Sequence, residues 1–191
     1  MRLLAYPAAG ALLGLLAFPP LPALADAGQD AQKGEPGILS EIRIGALRHD
    51  ASMFTTREED SDIDANVEFL FTSPEFLRYV WSPRPHLGVT GNFGGETSQA
   101  YIGLTWDVDL FAGIFVEVGL GASVHNGELD TGDPDRKNLG CRWLFRESAS
   151  LGYRISEHHN ISVMIDHLSN AELCDRNDGL DSMGLRWGVR F

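Results

Sequence analysis

Residues 167–181 read HLSNAELCDRNDGLD, a histidine with a serine two positions on and an aspartate at 181. A serine hydroxyl is a weak nucleophile until a base takes its proton. Histidine does this near neutral pH, and a carboxylate fixes the imidazole tautomer and stabilises its cation. His167, Ser169 and Asp181 therefore have the residue types of nucleophilic ester hydrolysis. The amides of Asn170 or Asn177 can donate to the oxyanion that such a reaction develops. An H-x-S pair is also common by chance, and it reads equally as the polar end of a strand capped by an asparagine turn.

The surrounding sequence decides what would hold these groups. Downstream of residue 37 the chain falls into eight segments of alternating polarity, at about 38–49, 62–72, 86–92, 100–110, 113–124, 141–155, 159–169 and 181–191, separated by turn-rich stretches. In the last of them Met183, Leu185, Trp187, Val189 and Phe191 share one face, while Gly184, Arg186, Gly188 and Arg190 share the other. In the second, Ile63, Ala65, Val67, Phe69 and Phe71 oppose Asp64, Asn66 and Glu68.

Such a pattern suits a soluble barrel with an apolar interior or a membrane barrel with an apolar exterior. Three features favour the membrane form. The apolar faces are large and nearly free of charge, Glu147 being the misfit. The polar faces carry both signs (Asp64, Glu68, Asp107, Glu117 and Asp166 against Arg43, Arg186 and Arg190), as an interior ion-pair network requires. The chain ends on an apolar-face aromatic, Phe191, which resembles the terminal residue that the barrel-assembly machinery reads in outer-membrane proteins. The expected fold is all-β, an eight-stranded antiparallel outer-membrane barrel over 37–191.

Residues 1–25, with Arg2, an apolar run and the small-x-small site Ala23-Leu24-Ala25, read as a secretory signal peptide. Residues 26–36 read as a polar leader. With both barrel ends in the periplasm, the connections at about 50–61, 93–99, 125–140 and 170–180 face outward. The longer piece between segments two and three carries Phe76, Tyr79 and Trp81, which suit the membrane interface.

Parity then places the chemistry. His167 and Ser169 continue the apolar face of Ile161, Val163 and Ile165, and Asp181 shares parity with Met183. All three are expected to point out of the barrel, side by side on strands seven and eight at the level of the outer leaflet.

The stretch H-L-S-N-A, with Asn177, Gly179, Asp181 and the terminal R-W-G-V-R-F, resembles the lipid A 3-O-deacylase family, the PagL-type acyloxyacyl hydrolases. The likeness extends through PRPHLGVTGNFGGETSQAYIGLTW and FRESASLGYRI. It implies an eight-stranded outer-membrane enzyme that needs no cofactor and acts on lipid A of lipopolysaccharide among outer-membrane lipids. It implies that Ser169 is the nucleophile and His167 the base, with Asn170 and Asn177 in the oxyanion region. Well-known members use glutamate as the acid where this chain has Asp181, one methylene shorter, so the reach to His167 is the open point. Asp166 faces inward by parity, and Asp175 or Asp178 of the loop are the alternatives.

The net charge of −12 opposes nucleic acid as a partner. Export permits a Cys141–Cys174 disulfide, which would restrain the loop after segment seven. His158 and His159 read as solvated turn residues and the EED run as solvated loop, so no metal site is expected. A homodimer is compatible with the sequence. The rival readings are a non-enzymatic structural or adhesion barrel and a soluble barrel that holds a lipid inside.

Overall fold

The computed structural model describes residues 37–55, 59 and 62–191; the proposed signal peptide and leader lie outside the described residues. Eight strands run in chain order around a closed antiparallel barrel: β1 (Leu39–Arg48), β2 (Ile63–Phe71), β3 (Arg84–Asn92), β4 (Gln99–Asp109), β5 (Ile114–His125), β6 (Trp143–Arg154), β7 (His159–Ser169) and β8 (Leu180–Arg190). Each pairs with its sequence neighbour, and β1 closes against β8 with Arg48 opposite Met183 and Glu41 opposite Arg190. Closure leaves no sheet edge, which is what a sheet needs where no water can satisfy free backbone groups. Two strand starts differ from the sequence reading by two residues. β3 begins two residues earlier, and β6 begins at Trp143, so Cys141 lies in the preceding loop.

Polarity is inverted relative to a water-soluble barrel. Ile44, Ile102, Leu151, Leu185 and Trp187 are exposed on the outer wall, whereas Arg43, Glu68, Glu117, Arg146 and Asp166 are buried inside. This excludes the soluble-barrel reading, because an apolar exterior of this kind is stable against lipid and not against water.

The interior is held by ions. Arg43 pairs with Glu41 at 2.7 Å, with Glu68 at 3.3 Å and with Glu117. Arg186 joins Glu68 at 2.8 Å and donates to Ser150 at 2.9 Å. Arg146 pairs with Asp166 at 2.9 Å and lies 3.7 Å over the Tyr101 ring. Glu41, Arg84, Arg146 and Arg154 belong to this network and were not singled out by the periodicity. Towards the long-loop end Leu139, Leu144, Leu168 and Leu180 pack together beside further buried polar groups.

At the other end the connections 110–113 and 155–158 are short. The connection between β2 and β3 holds a 3-10 helix, Glu75–Val80, where Phe76, Tyr79 and Trp81 are exposed. Trp106 Nε1 donates to the carbonyl of Val80 at 2.8 Å and ties this segment to the wall.

Arg43 touches three carboxylates and is almost fully buried, so its removal leaves like charges facing one another. Arg43→Met is expected to cost roughly 3–5 kcal/mol, read as a lower urea midpoint for unfolding of the detergent-folded barrel.

Candidate active site

β7 and β8 are paired so that His167 stands directly opposite Asp181, and Ile165 opposite Met183. Alternation along β7 turns His167 and Ser169 outward, while Asp166, Leu168 and Asn170 are buried inward. Side chains directly across an antiparallel pair have Cβ atoms about 5 Å apart, so a short acid meets an imidazole without a long stem. Nδ1 of His167 lies 2.6 Å from Oδ1 of Asp181. An ionised carboxylate only accepts, so Nδ1 carries the proton and Nε2 is left with its lone pair. The reach of the aspartate is thus set by register.

Asp181 is fully buried although it sits on the outer wall. Its cover is the loop between β1 and β2. The N–H of Phe54 donates to Asp181 Oδ2 at 2.6 Å, and the N–H of Ala51 donates to the Asp181 carbonyl at 2.7 Å. The Phe54 ring meets His167 edge-on with centroids 5.8 Å apart. Both carboxylate oxygens of Asp181 are therefore engaged, one by the histidine and one by a backbone donor 127 residues away in sequence. Periodicity carries no signal for that contact.

The loop has its own anchors. Lys137, fully buried, donates from Nζ to Thr55 Oγ1 at 2.7 Å and pairs with Asp50 at 3.1 Å. His49 lies between Asp64 at 2.9 Å and Glu59 at 3.0 Å. Glu59 also accepts from the N–H of Lys137 at 3.1 Å. The EED run is thus not wholly solvated: Glu59 is buried because a buried histidine and a backbone donor face it.

Burial opposes the His49 imidazolium, but the hydrogen bonds and charges of Asp64 and Glu59 outweigh it and hold the pKa up at about 9. Burial likewise opposes the Glu59 carboxylate, and the bonds from His49, Lys137 and Thr97 nevertheless hold it below the usual range.

The loop after β7 is clamped on the other side. Asn170 is buried, and its Nδ2 donates to the carbonyls of Leu139 at 3.0 Å and Arg176 at 2.5 Å. Its N–H donates to Asn177 Oδ1 at 2.9 Å, and Asn177 Nδ2 donates to Glu172 at 3.4 Å. In this structure both asparagine amides brace the loop; both N–H groups of Asn170 Nδ2 are taken, while Asn177 Nδ2 makes one long bond to Glu172. Asp178 accepts from the N–H of Asn138 at 2.7 Å and ties the same two loops together, while Asp175 is exposed. Cys141 and Cys174 form a disulfide with Cα atoms 6.0 Å apart. Gly140, at φ +72°, has no room for a side chain beside the Arg176 carbonyl and the Asn170 amide.

Ser169 lies two residues beyond His167 on the same face, opposite Phe145 of β6. Among the described residues its Oγ has no hydrogen-bond partner. Nor does any described group accept from the N–H groups of Ala171 and Glu172, two consecutive residues with positive φ (52° and 63°) just beyond the serine. Among the described residues no group of histidines, cysteines and carboxylates is arranged to hold a metal. His158 is exposed, and His159 packs on Trp187 at 5.5 Å between ring centroids.

Two measurements test this arrangement. Gly179 has φ +67°, and an added Cβ would come 3.0 Å from Thr55 Cγ2 and 3.4 Å from His167 Cε1. Gly179→Ala is expected to destabilise the barrel by about 1–2 kcal/mol and to displace the loop that covers Asp181, read by urea unfolding and by amide exchange at Phe54. Because His49 is raised above its ordinary value of 6.5, its contribution is fully present below that pH and lost as pH rises through about 9. Thermal stability should fall by up to about 3 kcal/mol between pH 7 and 10 and by distinctly less in His49→Gln.

The sequence profile of the family described as lipid A 3-O-deacylase (PagL) matches residues 77–190. No curated protein matches the chain by sequence. Among solved structures, the fold is similar to that of the outer membrane enzyme PagL, with TM-score 0.61 and 18% identity over 78% of this chain and 99% of that one. It is also similar to Neisserial surface protein A, with TM-score 0.53 and 10% identity over 83% of this chain and 100% of that one.

Proposed function

Because the chain belongs to the lipid A 3-O-deacylase (PagL) family, we propose that it is an outer-membrane esterase that removes an ester-linked acyl chain, the 3-O chain, from lipid A. The observation that carries this reading is the 2.6 Å contact between His167 and Asp181 on the lipid-facing wall, in one outward row with Ser169. A membrane-embedded glycolipid reaches such a site by lateral diffusion, and an outward-facing polar group has few other uses there.

In the proposed reaction Ser169 Oγ attacks the ester carbonyl while His167 Nε2 takes its proton. Asp181 holds Nδ1–H and stabilises the imidazolium that forms. The tetrahedral oxyanion is received by the free N–H groups of Ala171 and Glu172, in place of the Asn170 amide that the loop uses for itself. The sugar oxygen leaves with the proton from Nε2, and the acyl group remains on Ser169. Water, deprotonated by the same nitrogen, then releases the fatty acid and restores the serine. Ser169 Oγ reaches Nε2 by a change of χ1 rotamer when the substrate is seated. No cofactor takes part in these steps.

The test is mass spectrometry of lipid A from cells that express the chain. Loss of one hydroxyacyl group is expected, abolished by Ser169→Ala and by His167→Ala. Asp181→Asn should lower turnover by roughly 10³–10⁴-fold, since the amide favours the wrong tautomer. Unchanged lipid A in cells holding a correctly inserted barrel would instead favour a structural or adhesion role.

A further inference from the structure

The outer wall carries few ionisable residues. Among the described strands they are Arg48, Glu147, His159, His167 and Asp181, read from the outward parity of each strand. Arg48 and His159 end their strands, where a side chain reaches the interface. His167 and Asp181 satisfy each other. Glu147 is different: it is the fifth residue of β6, exposed, and set among Phe145, Ala149 and Leu120. Among the described residues no other residue gives its carboxylate a hydrogen bond or a salt bridge, although the charge of His167 acts on it. A carboxylate in that position costs free energy wherever hydrocarbon covers it.

Its place in the register is specific. Glu147 stands directly opposite His167 on the side away from Asp181, and Phe145 stands opposite Ser169. Glu147, His167 and Asp181 thus form one row across β6, β7 and β8, and Ser169 is the diagonal neighbour of Glu147, roughly 7 Å away between Cα atoms. Nδ1 of His167 is taken by Asp181 on β8, which leaves Nε2 as the ring nitrogen open to another partner. Ser169, His167 and Glu147 thus occupy neighbouring positions on the outer wall, and no hydrogen bond joins the Ser169 hydroxyl, His167 Nε2 and the Glu147 carboxylate. Two of them are accounted for by ester cleavage. The third is an acceptor that receives no hydrogen bond from any other described residue.

We propose that Glu147 is a specificity-determining residue whose carboxylate accepts a hydrogen bond from an amide N–H beside the scissile ester. This rests on the proposed ester hydrolysis and deepens it by naming the residue that selects the substrate. An ester at position 3 of an N-acylated glucosamine has an amide N–H on the adjacent carbon. The esters of a diacylglycerol phospholipid have no such donor nearby. Both lipid types surround a membrane barrel, so a carboxylate that meets its donor only in the first selects the glycolipid. A site built to bond a donor discriminates strongly against an analogue that lacks it, because the acceptor is then left unpaired away from water.

The experiment uses the full detergent-folded barrel and two synthetic substrates, a 3-O-acylated, 2-N-acylated glucosamine phosphate and the same molecule with the amide nitrogen methylated. The wild-type chain should prefer the N–H substrate about tenfold or more in kcat/KM, the loss of one hydrogen bond to a charged group. Glu147→Leu should bring the ratio close to one. Glu147→Gln, which keeps a weaker neutral acceptor, should fall between. Neither variant removes an internal contact, and closure of each is checked by its heat-modifiable gel mobility.

A wild-type ratio near one, a Leu variant with the wild-type ratio, or a Gln variant equal to wild type would overturn the proposal. Equal loss on both substrates in both variants would overturn it too, and would make Glu147 a positioning residue for His167. Failure of the closed wild-type barrel to hydrolyse either substrate would instead reject the ester-hydrolase reading, and this proposal with it.

Discussion

Hydrocarbon offers no partner to a backbone N–H, and most of this structure follows from that. A sheet within lipid must close on itself, and a closed sheet with a period of two sends every second side chain to each side. The ions of this chain then have a single solution: Arg43, Arg146 and Arg186 go inside with Glu41, Glu68, Glu117 and Asp166. What remains outside is apolar apart from Arg48 and His159 at strand ends and a small row near one rim. The same parity that hides the charges displays His167, Ser169 and Asp181 where a lipid can meet them.

Register then does for the site what a long side chain does elsewhere. An aspartate is shorter than a glutamate, yet as the direct cross-strand partner of His167 it needs no further reach. Its second oxygen is held by Phe54, whose loop is fastened in turn by Lys137 and by the His49 clamp. The loop that follows Ser169 is fastened to the same β5–β6 loop that supplies Lys137, through Asn170, Asp178 and the disulfide. Two loops anchored on a third thus converge on neighbouring rows of one wall.

The barrel, its inverted polarity and the outward direction of His167, Ser169 and Asp181 were legible in the sequence, because all rest on a period of two that survives from strand to strand. Strand ends were less so: β3 starts at Arg84, before the alternation is established, and the disulfide partner Cys141 precedes β6. The roles of the asparagines were not legible. Asn170 points inward by the parity that turns Ser169 outward, and what it meets, Leu139 and Arg176, lies on loops without periodicity. The burial of Asp181 under Phe54 and of Lys137 under Thr55 likewise depends on contacts between loops far apart in sequence. Glu147 was visible as an irregularity in an apolar face, and its meaning came only from the pairing that sets it opposite His167.

The contact of Ala51 and Phe54 with Asp181 has a temporal side. Those donors hang from the first strand and the acid belongs to the last, so the contact forms only where β1 and β8 meet, at the closing seam. An unclosed chain already carries the histidine, the serine and the aspartate, but its acid is uncovered and one carboxylate oxygen is free to water. The finished environment of the acid therefore arises at the end of assembly, once the barrel is shut and surrounded by lipid. In this sense the first loop acts as a latch: the surroundings of Asp181 are completed in the same event that closes the barrel.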